Sequence, residues 1–414
     1  MMIRLALPIY VELLTAVVAV GVIDLLWVSG LGEGAIAAVT VGTTVEFLAY
    51  GLFLAVPTGI TVLVGRRDGH APLGPVVRTG LLLWAVFSVA IAVPGVLLRE
   101  PLAALFTDTP ALTAGFFLVS LAGLPVYFAQ TVVDGILKGL GNTRRPMRHA
   151  LLCNALVIAL DPLFIYGLDM GVQGAAAATV LARAITLAIA LRSVARLNGR
   201  GLMAGEVIRT GLPMSGDFLA RALVGMALVE LVAGFGTAAV AGYGIGQKIM
   251  LAGVMVFYAL RQAAMIRTAR SETVRSPLLL GLGSGVAVAA VLNVVAVPVA
   301  GLFTGDPAVA VGFLRWMTLY LVPFGGLIAV GGVLQASGRG SRLLAATLAG
   351  FAVQLPLAYA LSAWLGLTGV WLSMAAGAAV SLAGARAPRA GGPGPARGPA
   401  PRSTRTAAGP PSGR

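Results

Sequence analysis

Charged residues are scarce in this chain of 414 residues: they make up 11% of it, whereas 58% of the residues are hydrophobic. Soluble domains carry roughly 25% charged residues. The deficit therefore excludes an ordinary soluble protein and predicts one that lies in a lipid bilayer. There is a single cysteine, Cys153, which excludes an internal disulfide.

Several motifs of catalysis are also missing. No G-x-x-x-x-G-K-[ST] run occurs, which excludes an ATP-driven pump encoded in this chain. No G-x-S-x-G or D-D-x-x-D pattern occurs, so an enzyme acting on lipid is the least favoured alternative. His70 and His149 fall in or beside predicted loops, so we predict neither a zinc cluster nor a histidine proton relay. We expect no enzyme and no cofactor.

What the sequence does contain is a series of long apolar runs. A membrane helix needs about 20 mostly apolar residues, and twelve segments satisfy this requirement. They are residues 5–29, 34–64, 76–98, 112–137, 147–167, 172–192, 211–234, 237–265, 277–302, 312–335, 343–363 and 366–384. The first run is too long for a signal peptide and lacks a cleavage site at its end. The predicted fold class is an all-α membrane protein with twelve transmembrane helices.

The net charge of +14 is distributed unevenly between the predicted loops. Basic residues such as Arg66 and Arg67 occupy every second connection, whereas the opposite connections are mainly acidic, with Glu33 and Glu100 as examples. The positive-inside rule then places both termini in the cytoplasm of a multi-pass protein of a bacterial plasma membrane. Because the arginines lie between membrane spans, we expect lipid contact and no nucleic-acid partner.

The two halves of the sequence repeat. LPIYVELL at 7–14 recurs as LPMSGDFL at 212–219, and LFTDTPA at 105–111 recurs as LFTGDPA at 302–308. Five such matches occur in the same order, with six helices between equivalent points. Parallel repeats of this kind are a transporter architecture with a site between the halves. The predicted organisation is an N-terminal six-helix lobe at 1–197, a linker at 198–210, a C-terminal lobe at 211–384 and a disordered basic tail at 385–414.

Several segments resemble the multidrug and toxin extrusion (MATE) transporters. They are GVIDLLWVSGLGEGAIAAV near the first span, KGLGNTRRP after the fourth, NALVIALDPLFIYGL in the fifth and GVQGAAAATV opening the sixth. The resemblance extends over residues 5–384. It implies two six-helix lobes around a central cavity, and a monomer that exports amphipathic or cationic small molecules in exchange for H⁺ or Na⁺.

Two intramembrane carboxylates are the main candidates for ion coupling. Asp24 lies five residues, and Asp161 six residues, before the outer end of its span, so both lie at similar depth in one lobe. Two carboxylates that face one pocket do not both ionise easily, which suits proton exchange. The resemblance implies the same pair. Asn154 lies two helical turns before Asp161, and we expect it to donate hydrogen bonds on the same face.

The second lobe lacks this arrangement, because the counterpart of Asp161 is Leu355. Some members of the family that the chain resembles carry acidic residues in the second lobe where this sequence has Arg221 and uncharged residues of the tenth span. This departure from the family disfavours a second-lobe Na⁺ site and favours H⁺. An alternative role for Asp161 is to support a kink before Pro162. Candidates for the substrate cavity are Glu46, Glu230, Lys248 and Tyr50, since ionisable groups inside a membrane are usually functional. Pro8 is predicted to kink the first helix, which we expect to bend when Asp24 is protonated.

Other charged residues have local interpretations. Asp217 and Arg221, and likewise Asp134 and Lys138, are spaced i, i+4 and are predicted to pair. Glu12 lies either near the headgroups or near the first of these pairs. A second functional hypothesis, a lipid-linked oligosaccharide flippase of the same superfamily, rests on further basic residues inside the membrane. These are Arg183, Arg221, Lys248 and Arg261.

Overall fold

The computed structural model describes residues 2–107, 110–195, 197 and 199–386. Over these ranges the chain is nearly all helical and contains no strand. Residues 387–414, which form almost all of the predicted disordered tail, lie outside the described residues.

Twelve helical units of membrane length follow one another in the described ranges. They are α1 (Met2–Leu31), α2 (Glu33–Phe53 and Ala55–Arg67), α3 (Gly74–Leu97), α4 (Pro110–Ala122 and Leu124–Gly139), α5 (Arg144–Gly167), α6 (Gly171–Leu191), α7 (Ala204–Ala233), α8 (Thr237–Ala269), α9 (Pro277–Ala300), α10 (Ala308–Ala336), α11 (Gly340–Leu365) and α12 (Leu367–Arg386). Ten helices are long and apolar enough to cross a membrane, or eleven with the bent α4. The 30-residue α7 completes the set.

Helix boundaries differ from the prediction mainly where polar turns extend an apolar run. The helix α7 begins at Ala204 rather than at residue 211, so the connection between the halves is residues 192–203 and not 198–210. The helix α12 continues to Arg386, two residues into the predicted tail. Hydropathy detects only the apolar part of a helix, whereas backbone hydrogen bonding continues into the polar turns beyond it.

Two helices are interrupted at places that proline explains. In α2 the first segment ends at Phe53, four residues before Pro57, and Leu54 lies between the two segments. In α4 the break at Gly123 precedes Pro125, and the two segments are bent by 41°. A proline ring clashes with the carbonyl four residues earlier and removes a helical donor, which accounts for both breaks.

Two other helices change their hydrogen-bonding pattern without breaking. Leu14–Ala19 of α1 and Leu163–Gly167 of α5 are π-helical, and the second follows Pro162 directly. Single turns of π-helix often occur at functional sites. Pro8 lies in a regular α-helical segment that continues to Leu13, so the irregular part of α1 comes after the position predicted for the kink.

Each half of the chain forms a six-helix lobe with its own aromatic core. In the N-terminal lobe Phe53 stacks on Phe128 with ring centroids 4.2 Å apart. In the C-terminal lobe Tyr243 stacks on Trp371 at 5.2 Å, and Phe313 meets the same indole edge-on. Two separate cores allow the lobes to move as units.

The lobes meet near the end of the molecule that carries the basic connections and the arginines beside them, here called the basic end (residues 68–73, 140–143, 192–195, 199–203, 270–276 and 337–339). Toward the middle of the helices, about 18 Å from Arg67 along α2, the α2 break meets α7: Ser215 Oγ accepts from Ala55 N at 2.8 Å and donates to Leu52 O at 3.3 Å. Ser215 thus satisfies backbone groups that the break releases. Gly211 packs so closely that a Cβ on it would lie 1.7 Å from the Ala55 carbonyl oxygen.

Charged residues add to the contact at the basic end. Arg270 pairs with Asp68 at 2.5 Å, and Arg66 Nη2 donates to the carbonyl of Ala336 at 2.6 Å. Both interactions join one lobe to the other. The lobes are therefore closed at the basic end.

Toward the opposite end the lobes diverge. Ala259 of α8 is buried in a cluster with Ala6 and Ile9 of α1. Lys248 lies eleven residues earlier, about three turns away on the same face of α8, and is exposed. The face that contacts the other lobe at the basic end is thus uncovered nearer the opposite end. A cleft between the lobes opens on that side.

Candidate functional site

Asp24 and Asp161 meet inside the N-terminal lobe. Asp24 follows the π-helical turn of α1, and Asp161 is the residue before Pro162 on α5; their exposed fractions are 4% and 0%. The two carboxyl groups are close enough to influence each other electrostatically. Among the described residues, Oδ1 of Asp24 and both oxygens of Asp161 are buried without a hydrogen-bond partner. Buried polar groups are rarely left unpaired, so this pair has the character of a site for a proton or a cation.

The irregular turns of α1 and α5 position this pair. The Tyr166 hydroxyl, in the π-helical turn of α5, donates a hydrogen bond to the carbonyl of Trp27 near the end of α1. Asn154 Nδ2 donates to the carbonyl of Thr15 at 3.0 Å, in the π-helical turn of α1. These two bonds tie α5 to α1 on either side of the carboxylates.

Asn154 therefore does not donate to the carboxylates, in contrast to the prediction. It precedes Asp161 by seven residues, about 10 Å along α5. The π-helical turn offers a nearer acceptor, because the Thr15 carbonyl also receives the Val20 N–H in the wider helical ring. Asn154 Oδ1 is buried without a partner among the described residues.

A cavity of about 120 Å³ adjoins Asp24, here called the upper cavity. Glu46 and Tyr50 line it, as predicted for substrate contacts, together with Arg183. Arg183 pairs with Glu46 at 3.3 Å and lies 4.4 Å from the centroid of the Tyr127 ring. Asp24, Asp161 and Glu46 carry three formal negative charges against one positive charge on Arg183, so the ionised site has a formal charge of −2.

A second cavity, of about 190 Å³, continues from the first toward the basic end and is here called the lower cavity. Its charged lining includes two hydrogen-bonded pairs. Lys138 Nζ lies 2.6 Å from Glu12 Oε1, and His149 Nδ1 lies 2.8 Å from Asp134 Oδ1. Gln130 Nε2 donates to the other oxygen of Asp134 at 2.9 Å.

This arrangement corrects two predictions. Asp134 pairs with His149 and not with Lys138, and Glu12 pairs with Lys138 instead of approaching Asp217 and Arg221. His149 lies beside a connection, as predicted, but its side chain is buried within the first turns of α5. The i, i+4 spacing allows Asp134 and Lys138 to pair on α4, but α1 brings Glu12 to Lys138 and α5 brings His149 to Asp134.

His149 is the site residue that sequence reasoning missed. It lies within the apolar run predicted at 147–167, only two residues from its start, which suggested a place near the headgroups. The helix α5 begins earlier, at Arg144, and His149 faces α4 across the lobe interior. The indication in the sequence was that His149 falls inside the predicted span at 147–167.

The C-terminal lobe contains a different charged cluster. The predicted pair of Asp217 and Arg221 is present at 3.0 Å, and Arg261 joins it at 3.1 Å from the other carboxylate oxygen. Thr347 Oγ1 donates to Asp217 at 2.8 Å. Because two guanidinium groups and a hydroxyl already satisfy this carboxylate, the cluster braces the lobe and differs from the unpartnered pair of Asp24 and Asp161.

The remaining cavity candidates lie elsewhere. Glu230 and Lys248 are exposed and line neither the upper nor the lower cavity, and neither forms an ion pair within the described part of the chain. Leu355 packs against the apolar core of the C-terminal lobe. In the described ranges, facing carboxylates without other partners are found in the N-terminal lobe and not in its repeat.

Two parallel six-helix lobes, a cleft closed at one end and a charged cavity beside it define a multi-pass membrane transporter. The sequence model of the family described as MatE matches residues 8–163 and 213–360. This match covers most of both lobes, and the chain belongs to the MatE family of efflux transporters, which are not enzymes. The resemblance drawn from the sequence motifs is confirmed.

Individual relatives and a solved structure agree with this assignment. The chain is 24% identical over 356 residues to "FAD transporter" of Shewanella oneidensis, covering 78% of this chain and 77% of that protein. It is 25% identical over 296 residues to "Multidrug export protein MepA" of Staphylococcus aureus, covering 64% of each. The Vibrio cholerae MATE transporter VcmN in the bent form shares the fold, with a TM-score of 0.82, 22% identity and coverage of 93% and 94%.

Proposed function

We propose that this protein exports amphipathic cations, such as drugs or natural products, in exchange for protons. The observation that carries the proposal is the pair of Asp24 and Asp161, buried face to face with oxygens that have no other partner in the described residues. Either a proton or a cationic substrate would relieve the repulsion between these carboxylates. The proton and the substrate would therefore compete for the same negatively charged site.

The charge of the site favours a cationic substrate over an anionic one. The ionised site, made up of the upper cavity and the adjacent Asp161, carries a formal charge of −2, because Arg183 neutralises only Glu46. One relative is a FAD transporter by name, and FAD is an anion. Arg221 and Arg261, which would suit an anion or a lipid-linked oligosaccharide, share Asp217. This pairing argues against the flippase hypothesis.

Protons are favoured over Na⁺ as the coupling ion. Hard cations in proteins bind several oxygen ligands at once. Around the Asp24 and Asp161 pair the next predicted ligand, Asn154, is about 10 Å farther along α5 and donates its amide to Thr15. A proton needs one carboxylate oxygen only. Na⁺ coupling is the alternative that the experiment below tests.

The direction of transport follows from the distribution of arginine. If the basic end faces the cytoplasm of a bacterial plasma membrane, both termini lie there as well. The structure, closed at the basic end, is then the outward-facing state, with Asp24 near the open cleft. Protonation of Asp24 would alter α1 at its π-helical turn, residues 14–19, where Asn154 holds it. We propose that a monomer completes this cycle.

The test is ethidium transport in everted membrane vesicles with an imposed pH gradient and, separately, a Na⁺ gradient. We expect uptake driven by the pH gradient and at least a tenfold lower rate in Asp24→Asn and in Asp161→Asn. Glu230→Gln is the matched control, because it removes an exposed carboxylate from the other lobe. Uptake driven by Na⁺ alone, or an unchanged rate in both aspartate variants, would refute the proton-coupled mechanism.

A further inference from the structure

The upper and lower cavities adjoin each other. Both are lined by Ala16, Val17, Val20, Tyr50, Tyr127 and Arg183. Asp24 borders the upper cavity, and His149 borders the lower one. His149 precedes Asp161 by twelve residues on α5, a separation of about 18 Å along the helix axis. The two cavities, together called the passage here, therefore lie in series between Asp24 and a buried histidine.

Hydrogen bonding assigns a role to each nitrogen of the His149 ring. Nδ1 lies 2.8 Å from Asp134 Oδ1, and an ionised carboxylate only accepts, so Nδ1 carries a hydrogen and donates it. In the neutral imidazole Nε2 is then the nitrogen that accepts a proton. Nε2 has no hydrogen-bond partner among the described residues. Asp134 thus fixes the orientation and the tautomer of the ring, as carboxylates hydrogen-bonded to metal-binding histidines do.

The charged groups around His149 come from several helices. From α4 they are Asp134 and Lys138, and from α1 Glu12. Arg183 of α6 borders the passage farther up, where Glu46 neutralises it. Tyr50 of α2 is the titratable group on that helix facing the lower cavity, and Arg148, next to His149 on α5, points outward and is exposed.

The charges of this cluster sum to a value that one proton neutralises. Glu12 and Lys138 cancel in their ion pair, which leaves Asp134 and a neutral His149 with a formal charge of −1. A proton on Nε2 makes the cluster neutral and turns the hydrogen bond to Asp134 into a buried ion pair. Histidine is the side chain whose charge changes between pH 5 and 8 without special perturbation.

Residues of the other lobe border the lower cavity toward the basic end. Met214 of α7 and Gln262 and Met265 of α8 complete its lining. When the lobes separate at the basic end, these three side chains withdraw and the cavity meets the solution there. His149 is therefore placed where a proton would leave after the conformational change.

From this geometry we propose that His149, held by Asp134, is a second proton-carrying site of the transporter. A proton from the Asp24 and Asp161 pair moves through the passage to His149 Nε2, and the Nδ1–H bond to Asp134 persists. Opening of the basic end then releases that proton to the solution and restores the neutral imidazole. This inference rests on the proposed proton coupling and adds to it a proton exit distinct from the coupling carboxylates.

The first test observes His149 directly. The chain has two histidines, so His70→Gln, at an exposed loop position, leaves His149 as the single histidine signal in ¹³C-labelled protein. We expect its imidazole resonance to switch reversibly between the neutral and the protonated form when the pH is changed. Asp134→Asn should alter this response, because the imidazolium loses its carboxylate partner. A resonance that does not move between pH 5 and 9 overturns the proposal.

The second test separates proton movement from substrate binding. In vesicles, His149→Gln should lower ethidium uptake driven by a pH gradient at least tenfold and flatten its pH profile. Exchange of labelled for unlabelled ethidium without a gradient should stay within about twofold of wild type. The matched control is His70→Gln, which should keep the wild-type rate. A His149→Gln variant with the wild-type rate and pH profile overturns the proposal.

The two tests also separate this inference from the proposed function. If the wild-type protein shows no uptake under a pH gradient, the proton-coupled mechanism fails, and a proton exit at His149 fails with it. If uptake is driven by the pH gradient and depends on Asp24 but not on His149, only the present inference fails.

Discussion

The contact between Ser215 and the α2 break leads to a prediction about the equilibrium between the state with the basic end closed and the state with it open. In the state with the basic end closed, Ser215 Oγ accepts a hydrogen bond from the Ala55 N–H at 2.8 Å. Ser215→Ala leaves that donor buried without a partner, which costs about 1–3 kcal/mol. In the state with the basic end open this bond is already absent, so the cost falls on the closed state alone. The population should shift toward the open state by about 5- to 150-fold.

Distances between spin labels measure this shift. Exposed loop positions at the basic end, His70 in one lobe and Arg275 in the other, accept labelled cysteines after the single native cysteine is replaced by Cys153→Ser. We expect Ser215→Ala to increase the population at long distances. Ser362→Ala is the matched control, because Ser362 Oγ bonds to Tyr359 O within its own helix. Identical distance distributions in wild type and Ser215→Ala would refute the reasoning.

Two further substitutions test the packing of the lobes. Gly211→Val should prevent closure of the basic end and abolish transport, because its Cβ would lie 1.7 Å from the Ala55 carbonyl oxygen. The control is Gly225→Val on the same helix, which should transport normally because a Cβ there meets nothing within 4 Å. Asp217→Asn should lower the free energy of unfolding by about 3–5 kcal/mol, because it leaves the buried guanidinium of Arg261 and the half-buried one of Arg221 without their shared carboxylate. A thermal unfolding midpoint equal to that of wild type would contradict this.

Much of the architecture follows from local properties of the sequence. The length of each apolar run reveals a membrane span, because a helix must be about 20 residues long to cross the hydrocarbon. The repeat of short motifs reveals two lobes of equal orientation. Asp24 and Asp161 can be placed at one depth by counting residues, and the structure brings them together. The i, i+4 spacing of Asp217 and Arg221 was sufficient because both groups lie on one helix.

Other features depend on which helices pack together, and helical spacing does not determine that. Lys138 could reach Asp134 on its own helix, yet the approach of α1 gives it Glu12, and α5 gives His149 to Asp134. Glu230 and Lys248 lie in predicted spans, but both side chains are exposed. The lobes diverge at the depth of these residues, so no helix of the other lobe covers them.

The closed basic end, too, is decided only by tertiary structure. The sequence determines the spans, the repeat and the depth of each carboxylate, because these depend on residue type and on counting along one helix. The pairing of charges, the passage to His149 and the state of the cleft depend on contacts between residues far apart in the chain, such as Ser215 with Ala55 and Arg270 with Asp68. Which of the possible contacts forms depends on which side chains the packing of the helices brings closest together.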